Sequence, residues 1–216
     1  DEAAAGRGTV ASDAVRIASS LICTIEAVCL RRVGASMVAA HGNERRGGLF
    51  SRVAGVLALH GLDVLAADAA AEGDMAIEAF RVTSRFGSMV PWERVVANVH
   101  AALEDRLAIE ARLADRIRTY QRRTTAHRLP PPIVRFDDAA SAAATVVEVH
   151  APDRVGLLYR VSRAFAELAI DVRVAKVQTL GDLVVDSFYV TNADGEVVSD
   201  PVVRTELERA LLHAVS

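Results

Sequence analysis

The sequence predicts an α+β protein that contains two copies of one small domain. The chain has 216 residues, of which 51% are hydrophobic, and this is enough to build hydrophobic cores. Residues 46–84 align without gaps onto residues 154–192, and 14 of the 39 pairs are identical. In both copies the apolar spacing switches in the same order between the period of a strand and that of a helix. These observations favour a tandem repeat.

The second copy shows the order of its elements most clearly. A β-branched run predicts its first strand, apolar residues at helical spacing follow, and two alternating stretches around a Gly-Asp turn predict a strand pair. A proline then opens the last helix. The predicted elements are a strand at 145–149, a helix at 156–168, strands at 171–179 and 183–191, and a helix from Pro201 with Ser199 or Asp200 as its N-cap.

The first copy repeats this order and adds two features. The apolar spacing of its last helix extends beyond what a small domain needs, and a proline run then precedes a further strand-like stretch. The predicted elements are a strand near 35–41, a helix at 48–60, strands at 62–71 and 75–83, a helix from Pro91 that continues past Leu113 toward Tyr120, and a fourth strand at 133–136.

Strands and helices in this order favour an antiparallel four-stranded sheet with two helices on one face. This is the ferredoxin-like βαββαβ arrangement, present here twice in tandem. The second copy ends before a last strand, so its sheet should have an open edge or borrow a strand from a neighbour. We predict domains at 33–138 and 143–216, and leave 1–32 unassigned.

Composition argues against several classes of function. A net charge of −3 gives no positive field for nucleic acid. The apolar run 17–30 contains Glu26 and is shorter than the roughly 20 residues that a membrane span needs. Cys23 and Cys29 have the spacing of neither a redox pair nor a metal site. We therefore expect a cytoplasmic protein without nucleic-acid or membrane partners. The sequence begins at Asp1 without the features of a signal peptide, and we expect it to be a piece of a longer chain.

The basic residues and the histidines are further candidates for a site. We predict that the arginine-rich stretch faces solvent; the alternative is an RNA-recognition module, which would stack bases on aromatic residues such as Phe80 and Phe188. The histidines lack the spacing of a metal site, so we predict neither metal ligands nor catalytic residues. These residues are Arg112, Arg116, Arg118, Arg122, Arg123 and Arg128, and His41, His60, His100, His127, His150 and His213.

A loop and two aspartates point to a small charged ligand. In Ala-Pro-Asp-Arg-Val-Gly-Leu-Leu, residues 151–158, Gly156 opens a helix whose free N–H groups would attract a carboxylate. Alternatively, Asp153 only caps that helix. Asp63 and Asp171 start the second strand of their copies, and we expect both at the same end of the sheet as the glycine loop, where a carboxylate would bind an ammonium group. Each is otherwise a solvated turn residue. Together they predict a site for a free amino acid.

The stretches Pro-Asp-Arg-Val-Gly-Leu-Leu, Ile-Asp-Val and Phe-Tyr-Val-Thr-Asn-Ala-Asp-Gly resemble an ACT domain. Over 35–216 the tandem is similar to the C-terminal ACT pair of bifunctional PII uridylyltransferase/uridylyl-removing enzymes. The resemblance implies a regulatory region that senses an amino acid, with glutamine favoured, and that acts with the PII signal protein. It also implies pairing between ACT domains, within or between chains. The alternative is a free-standing ACT-repeat sensor that acts on another partner.

The resemblance also implies the ligand-binding residues. The loop of the second copy is the better site, because Glu44 and Arg45 replace the Pro-Asp of the family in the first. No cofactor is implied for this chain, although the parent enzyme would need Mg²⁺ or Mn²⁺. The implied residues are Asp153, Arg154, Val155, Gly156, Leu157 and Asp171 in the second copy, and Arg46, Gly47, Gly48 and Asp63 in the first.

Overall fold

The computed structural model describes residues 29–33, 37–43, 48–72, 75–85, 87, 89–121, 130–180 and 182–216. Within these ranges the order of helices and strands confirms the predicted α+β class. The elements are β1 (Cys29–Val33), β2 (Met37–Asn43), α1 (Leu49–Leu59), β3 (Leu62–Glu72), β4 (Met75–Ser84), α2 (Trp92–Leu103), α3 (Ile109–Gln121), β5 (Ile133–Asp137), β6 (Thr145–Pro152), α4 (Leu157–Glu167), β7 (Ile170–Lys176), β8 (Thr179–Leu180), β9 (Leu183–Asn192) and α5 (Pro201–Val215).

One antiparallel sheet runs through both copies. Its order is β1-β2-β4-β3-β7-β9-β6-β5, and β8 pairs with β9. The copies join where β3 pairs with β7, from Ala66 opposite Lys176 to Asp68 opposite Val174. The expected pairing between copies therefore occurs within this chain. Because β3 and β7 are antiparallel, the two copies have opposite orientations along these two strands.

The position of β5 differs from the prediction that 133–136 closes the sheet of the first copy. Its partner is β6 of the second copy, with Ile133 opposite His150. Strand β1, which was not predicted and begins in the segment left unassigned, holds the equivalent place beside β2. Each copy thus takes its outer strand from residues that precede its first strand. The second copy borrows a strand, as expected.

Arg204 of α5 fixes this borrowed strand to the second copy. Its guanidinium donates to both carboxylate oxygens of Asp138, at 2.9 and 2.5 Å, just after β5 ends. It also lies over the ring of Phe136, 5.5 Å from the ring centroid. At the start of α5, Asp200 accepts a hydrogen bond from the Val202 N–H at 2.8 Å and is therefore the N-cap.

The single long helix predicted from Pro91 toward Tyr120 is wrong. Helix α2 ends at Leu103 and α3 begins at Ile109, because Asp105 takes a left-handed conformation with φ of 55°. Both helices keep their apolar side toward the core, so the apolar spacing continues across the break and conceals it.

The helices form a layer over the sheet, and the core lies between the two layers. Phe80 on β4 and Phe188 on β9 are equivalent positions of the repeat, and both are fully buried. Phe80 packs against Phe50 of α1 with ring centroids 5.0 Å apart, and Phe188 against Phe165 of α4 at 5.2 Å. None of the helices in the described ranges is long and apolar enough to cross a membrane.

Helices α1 and α4 pack directly against each other at the junction of the copies, and Gly55 of α1 permits this contact. A β-carbon at Gly55 would lie 2.7 Å from the Cδ2 of Tyr159 and 2.6 Å from the Cγ2 of Ile109, both closer than carbon atoms can approach. Glycine normally weakens a helix, but here it lets two helices meet across the repeat.

Candidate functional site

A cavity of about 80 Å³ lies at the junction of the two copies. The first copy contributes α1, the start of β3 and the residue after β4, and α3 contributes one arginine. The second copy contributes the loop before α4, the first turn of that helix and strand β9. The lining residues include Ala54, Ala58, Asp63, Arg85, Arg116, Asp153, Arg154, Val155, Gly156, Leu157, Val184 and Asp186.

The N-terminus of α4 opens into this cavity. Gly156 precedes the helix with φ of 76°, and within the described part of the chain no side-chain cap is found at this N-terminus. The loop is fixed by the Asp153 N–H, which donates to the Asp182 carbonyl at 2.9 Å, and by the Leu157 N–H, which donates to the Arg154 carbonyl at 3.0 Å. The N–H groups of the first turn beyond Leu157 and the positive end of the helix dipole make this turn suitable for an anion.

Arg85, which follows β4, joins the two copies at the cavity wall. Its Nε lies 2.9 Å from Oδ1 of Asp63, and its Nη2 lies 2.9 Å from Oδ2 of Asp153. These hydrogen bonds and charges raise the pKa of Arg85, although burial acts in the opposite direction. The guanidinium therefore bridges a carboxylate from each copy.

Asp186 of β9 places a buried carboxyl group in the cavity wall. Its side chain is only 2% exposed, and among the described residues its Oδ1 has no hydrogen-bond partner. Burial raises the pKa of Asp186 to about 7, Asp153 adds to this rise, and a hydrogen bond from the Gln178 backbone opposes it.

The structure separates the two aspartates that were expected to lie with the glycine loop. Asp171 is exposed and pairs opposite Thr191 of β9, whereas Pro152, just before the loop, pairs opposite Leu183. Eight residues of strand span roughly 25 Å, so Asp171 lies at the other end of the sheet. Asp63 reaches the loop of the second copy because β3 and β7 run in opposite directions. Asp171 therefore does not lie at the glycine loop of its own copy, whereas Asp63 lies at the glycine loop of the other copy.

The remaining predicted site residues fall into three groups. Val155, Gly156 and Leu157 line the cavity, and the side chain of Arg154 hydrogen-bonds the carbonyl of Ser216. Gly48 precedes α1 with φ of 97°, as Gly156 does in the other copy. Arg46 and Gly47 lie outside the described residues, as does the Glu44-Arg45 departure.

Two residues of this site were not predicted as such. No sequence pattern marks Arg85, which stands alone after a strand. Asp186 did carry a signal, since the alternation of β9 places it on the same face as the buried Phe188 and Val190. The offset of 108 residues also pairs it with Glu78, a second buried acid. An acidic residue on the apolar face of a strand in both copies is the pattern that would have found it.

The donor set of the cavity does not favour a resident metal. In the portion of the chain that is described, no group of three or more histidine, cysteine, aspartate or glutamate side chains is placed to hold a metal ion. Asp63 and Asp153 are engaged by the guanidinium of Arg85. The arrangement instead offers separate positions for a negative and a positive group of one small molecule.

Comparison with known proteins gives a consistent result. Residues 145–199 match the ACT domain family. A "Bifunctional uridylyltransferase/uridylyl-removing enzyme" of Streptomyces coelicolor is 41% identical over 155 residues, which cover 68% of this chain and 18% of that protein. Proteins of the same name from Rhodospirillum rubrum and Azospirillum brasilense are 34% and 32% identical, each over 78% of this chain and 18% and 19% of their own length.

The chain thus spans about a fifth of the length of these curated relatives. The matched stretch is longer than either copy of the repeat alone. The predicted resemblance is confirmed: residues 145–199 form an ACT domain, and over most of its length the chain is similar to one part of the bifunctional uridylyltransferase/uridylyl-removing enzymes.

Proposed function

We propose that this chain is the amino-acid-sensing regulatory region of a cytoplasmic enzyme that uridylylates the PII signal protein and removes the uridylyl group. Glutamine is the proposed ligand. The observation that carries the proposal is the cavity at the first turn of α4, where the ACT domain meets the other copy. Transfer and removal of the nucleotide, with the Mg²⁺ or Mn²⁺ they would need, are assigned to other parts of such a protein.

The geometry suits a free amino acid because the cavity offers both kinds of charge. The first turn of α4 attracts a carboxylate, and acidic side chains approach from β9 and from the neighbouring copy. A ligand that touches both copies stabilises the arrangement in which they meet, by mass action and by population shift. Binding would thereby report amino-acid supply to any domain attached to the tandem.

A thermal-shift screen of the twenty amino acids tests this proposal. Glutamine should raise the melting temperature in a dose-dependent way, by an amount that corresponds to about 2.7 kcal/mol at 100 times Kd. The chain alone should neither uridylylate PII protein nor release the group with Mg²⁺ or Mn²⁺ present. If another amino acid shifts the melting temperature and glutamine does not, the glutamine assignment is wrong.

A matched pair of variants tests where the ligand binds. Asp63 and Asp171 are equivalent in the repeat, but Asp63 lies at the cavity and Asp171 at the far end of the sheet. Asp63→Ala releases Arg85 from one of its anchors and should weaken glutamine binding about tenfold. Asp171→Ala serves as the control and should bind glutamine normally. The reverse ordering would assign the ligand to the other end of the sheet.

A further inference from the structure

The strongest unexplained feature of the cavity is the carboxylate of Asp186. Asp186 pairs opposite Val149 of β6, and it lies on the face of β9 that carries the buried Phe188. Among the described residues nothing hydrogen-bonds its Oδ1. A buried acceptor without a partner costs about 1 to 3 kcal/mol, so a folded chain retains it only if something else compensates or if it serves a ligand.

We propose that Asp186 binds the α-ammonium group of the amino acid while the first turn of α4 binds its carboxylate, an inference that rests on the proposed function. Oδ1 of Asp186 accepts a charge-assisted hydrogen bond from the ammonium, and the N–H groups of Leu158 and Tyr159 in the first turn of α4 donate to the carboxylate. Asp186 and the first turn of α4 line the same cavity, as binding of one small zwitterion to both requires. Asp186 thus becomes the residue that selects an amino acid over a plain carboxylic acid.

Preorganisation explains why a buried carboxylate suits this role. Folding has already removed water from Asp186, and the Gln178 backbone holds one side of the carboxyl group. The ammonium group of the ligand therefore binds an acceptor that is already desolvated and held in place, so binding requires little further reorganisation of the carboxylate. In a cavity with walls such as Ala54, Leu157 and Val184, the charged hydrogen bond is also stronger than it would be in water.

A metal ion fits this carboxylate less well than an ammonium group does. Ca²⁺ takes six to eight oxygen ligands and Mg²⁺ takes six in strict octahedral geometry. The cavity wall contains alanine, leucine and valine side chains, and the carboxylates of Asp63 and Asp153 are bound to Arg85. An ammonium group needs only a few acceptors in a compact space.

The repeat supplies a matched control for this role. Glu78 stands 108 residues before Asp186, on β4, and is likewise buried with Oε2 unpartnered among the described residues. It does not line the cavity between the copies. Replacing Glu78 removes a buried carboxylate of the same kind from the same place in the fold, without touching the proposed ligand.

The test uses calorimetry with two ligands and three proteins. The ligands are L-glutamine and glutaramic acid, which is glutamine without its α-ammonium group. The proteins are the unchanged chain, Asp186→Asn and Glu78→Gln, with circular dichroism to establish folding. The unchanged chain and Glu78→Gln should prefer glutamine at least about tenfold, and Asp186→Asn should lose this preference because glutamine binding falls to the level of glutaramic acid.

Each outcome decides the matter. If Asp186→Asn folds and retains the preference for glutamine, the inference is wrong and the proposed function stands. If the unchanged chain binds neither compound nor any other amino acid, both the inference and the proposed function are wrong. If Glu78→Gln loses the preference equally, a general effect of buried acids explains the result and the assignment to Asp186 is overturned.

Discussion

Replacing Glu78 by glutamine should stabilise the chain at alkaline pH and leave it almost unchanged at acidic pH. The Glu78 side chain is 5% exposed and its Oε2 has no partner among the described residues. Burial raises its pKa from 4.5 to about 8. The native state therefore keeps a proton that the unfolded chain has already released, throughout the interval between these two pKa values.

The sign and size of the effect follow from proton linkage. Because the native state binds more protons in this interval, the free energy of unfolding falls as the pH rises from 4.5 toward 8. One pKa unit corresponds to about 1.4 kcal/mol. The rise of the Glu78 pKa from 4.5 to about 8 therefore corresponds to a loss of up to about 5 kcal/mol in the free energy of unfolding. A glutamine side chain at this position carries no ionisable group, so the variant should escape this loss.

Urea unfolding followed by circular dichroism measures the effect. The variant and the unchanged chain should have similar free energies of unfolding near pH ~5, and the variant should be more stable by roughly 3 to 5 kcal/mol near pH ~8.5. Glu208→Gln, on the exposed side of α5, is the control and should follow the unchanged chain. Parallel pH profiles for the Glu78 variant and the unchanged chain would show that Glu78 does not retain its proton in the native state.

Three further predictions concern the junction and its cavity. Gly55→Ala should lower the free energy of unfolding by about 1 to 3 kcal/mol in urea titrations, since the new β-carbon would collide with Tyr159; an equal or higher stability would contradict the packing described. Arg85→Ala should cost about 1 kcal/mol in low salt and less in high salt, because its ion pairs are partly exposed; a cost that salt does not change would argue against them. Glutamine affinity should rise up to about tenfold between pH ~6 and ~8, because Asp186 has a pKa of about 7 and binds an ammonium group only when ionised; flat calorimetric affinities would oppose this role.

Local pattern was enough to predict most elements of the fold. Helical spacing and strand alternation depend on neighbouring residues, and the structure places helices and strands within a few residues of the predicted bounds. Pairing between distant strands does not depend on local pattern. For this reason the strand-like stretch at 133–136 indicated a strand but could not indicate β6 as its partner. The break at Asp105 was missed for a different reason, since the apolar spacing on both sides has the same phase.

The site was predicted in part for the same physical reason. The glycine loop is a local feature, so its place before α4 could be predicted from residues 151–158. Its carboxylate neighbour depends on how two copies pair. Antiparallel pairing of β3 with β7 brings Asp63 to this loop and leaves Asp171 at the far end, which no property of one copy indicates. Arg85 likewise acquires its role only when the copies meet.

A crystal structure of the chain grown with L-glutamine tests the proposed binding of an amino acid between the copies most directly. We expect electron density for one glutamine between the copies, with its carboxylate at the first turn of α4 after Gly156 and its ammonium within hydrogen-bond distance of Asp186. Glutamine bound instead beside Asp171, or a cavity that stays empty while calorimetry shows saturating binding, would contradict it.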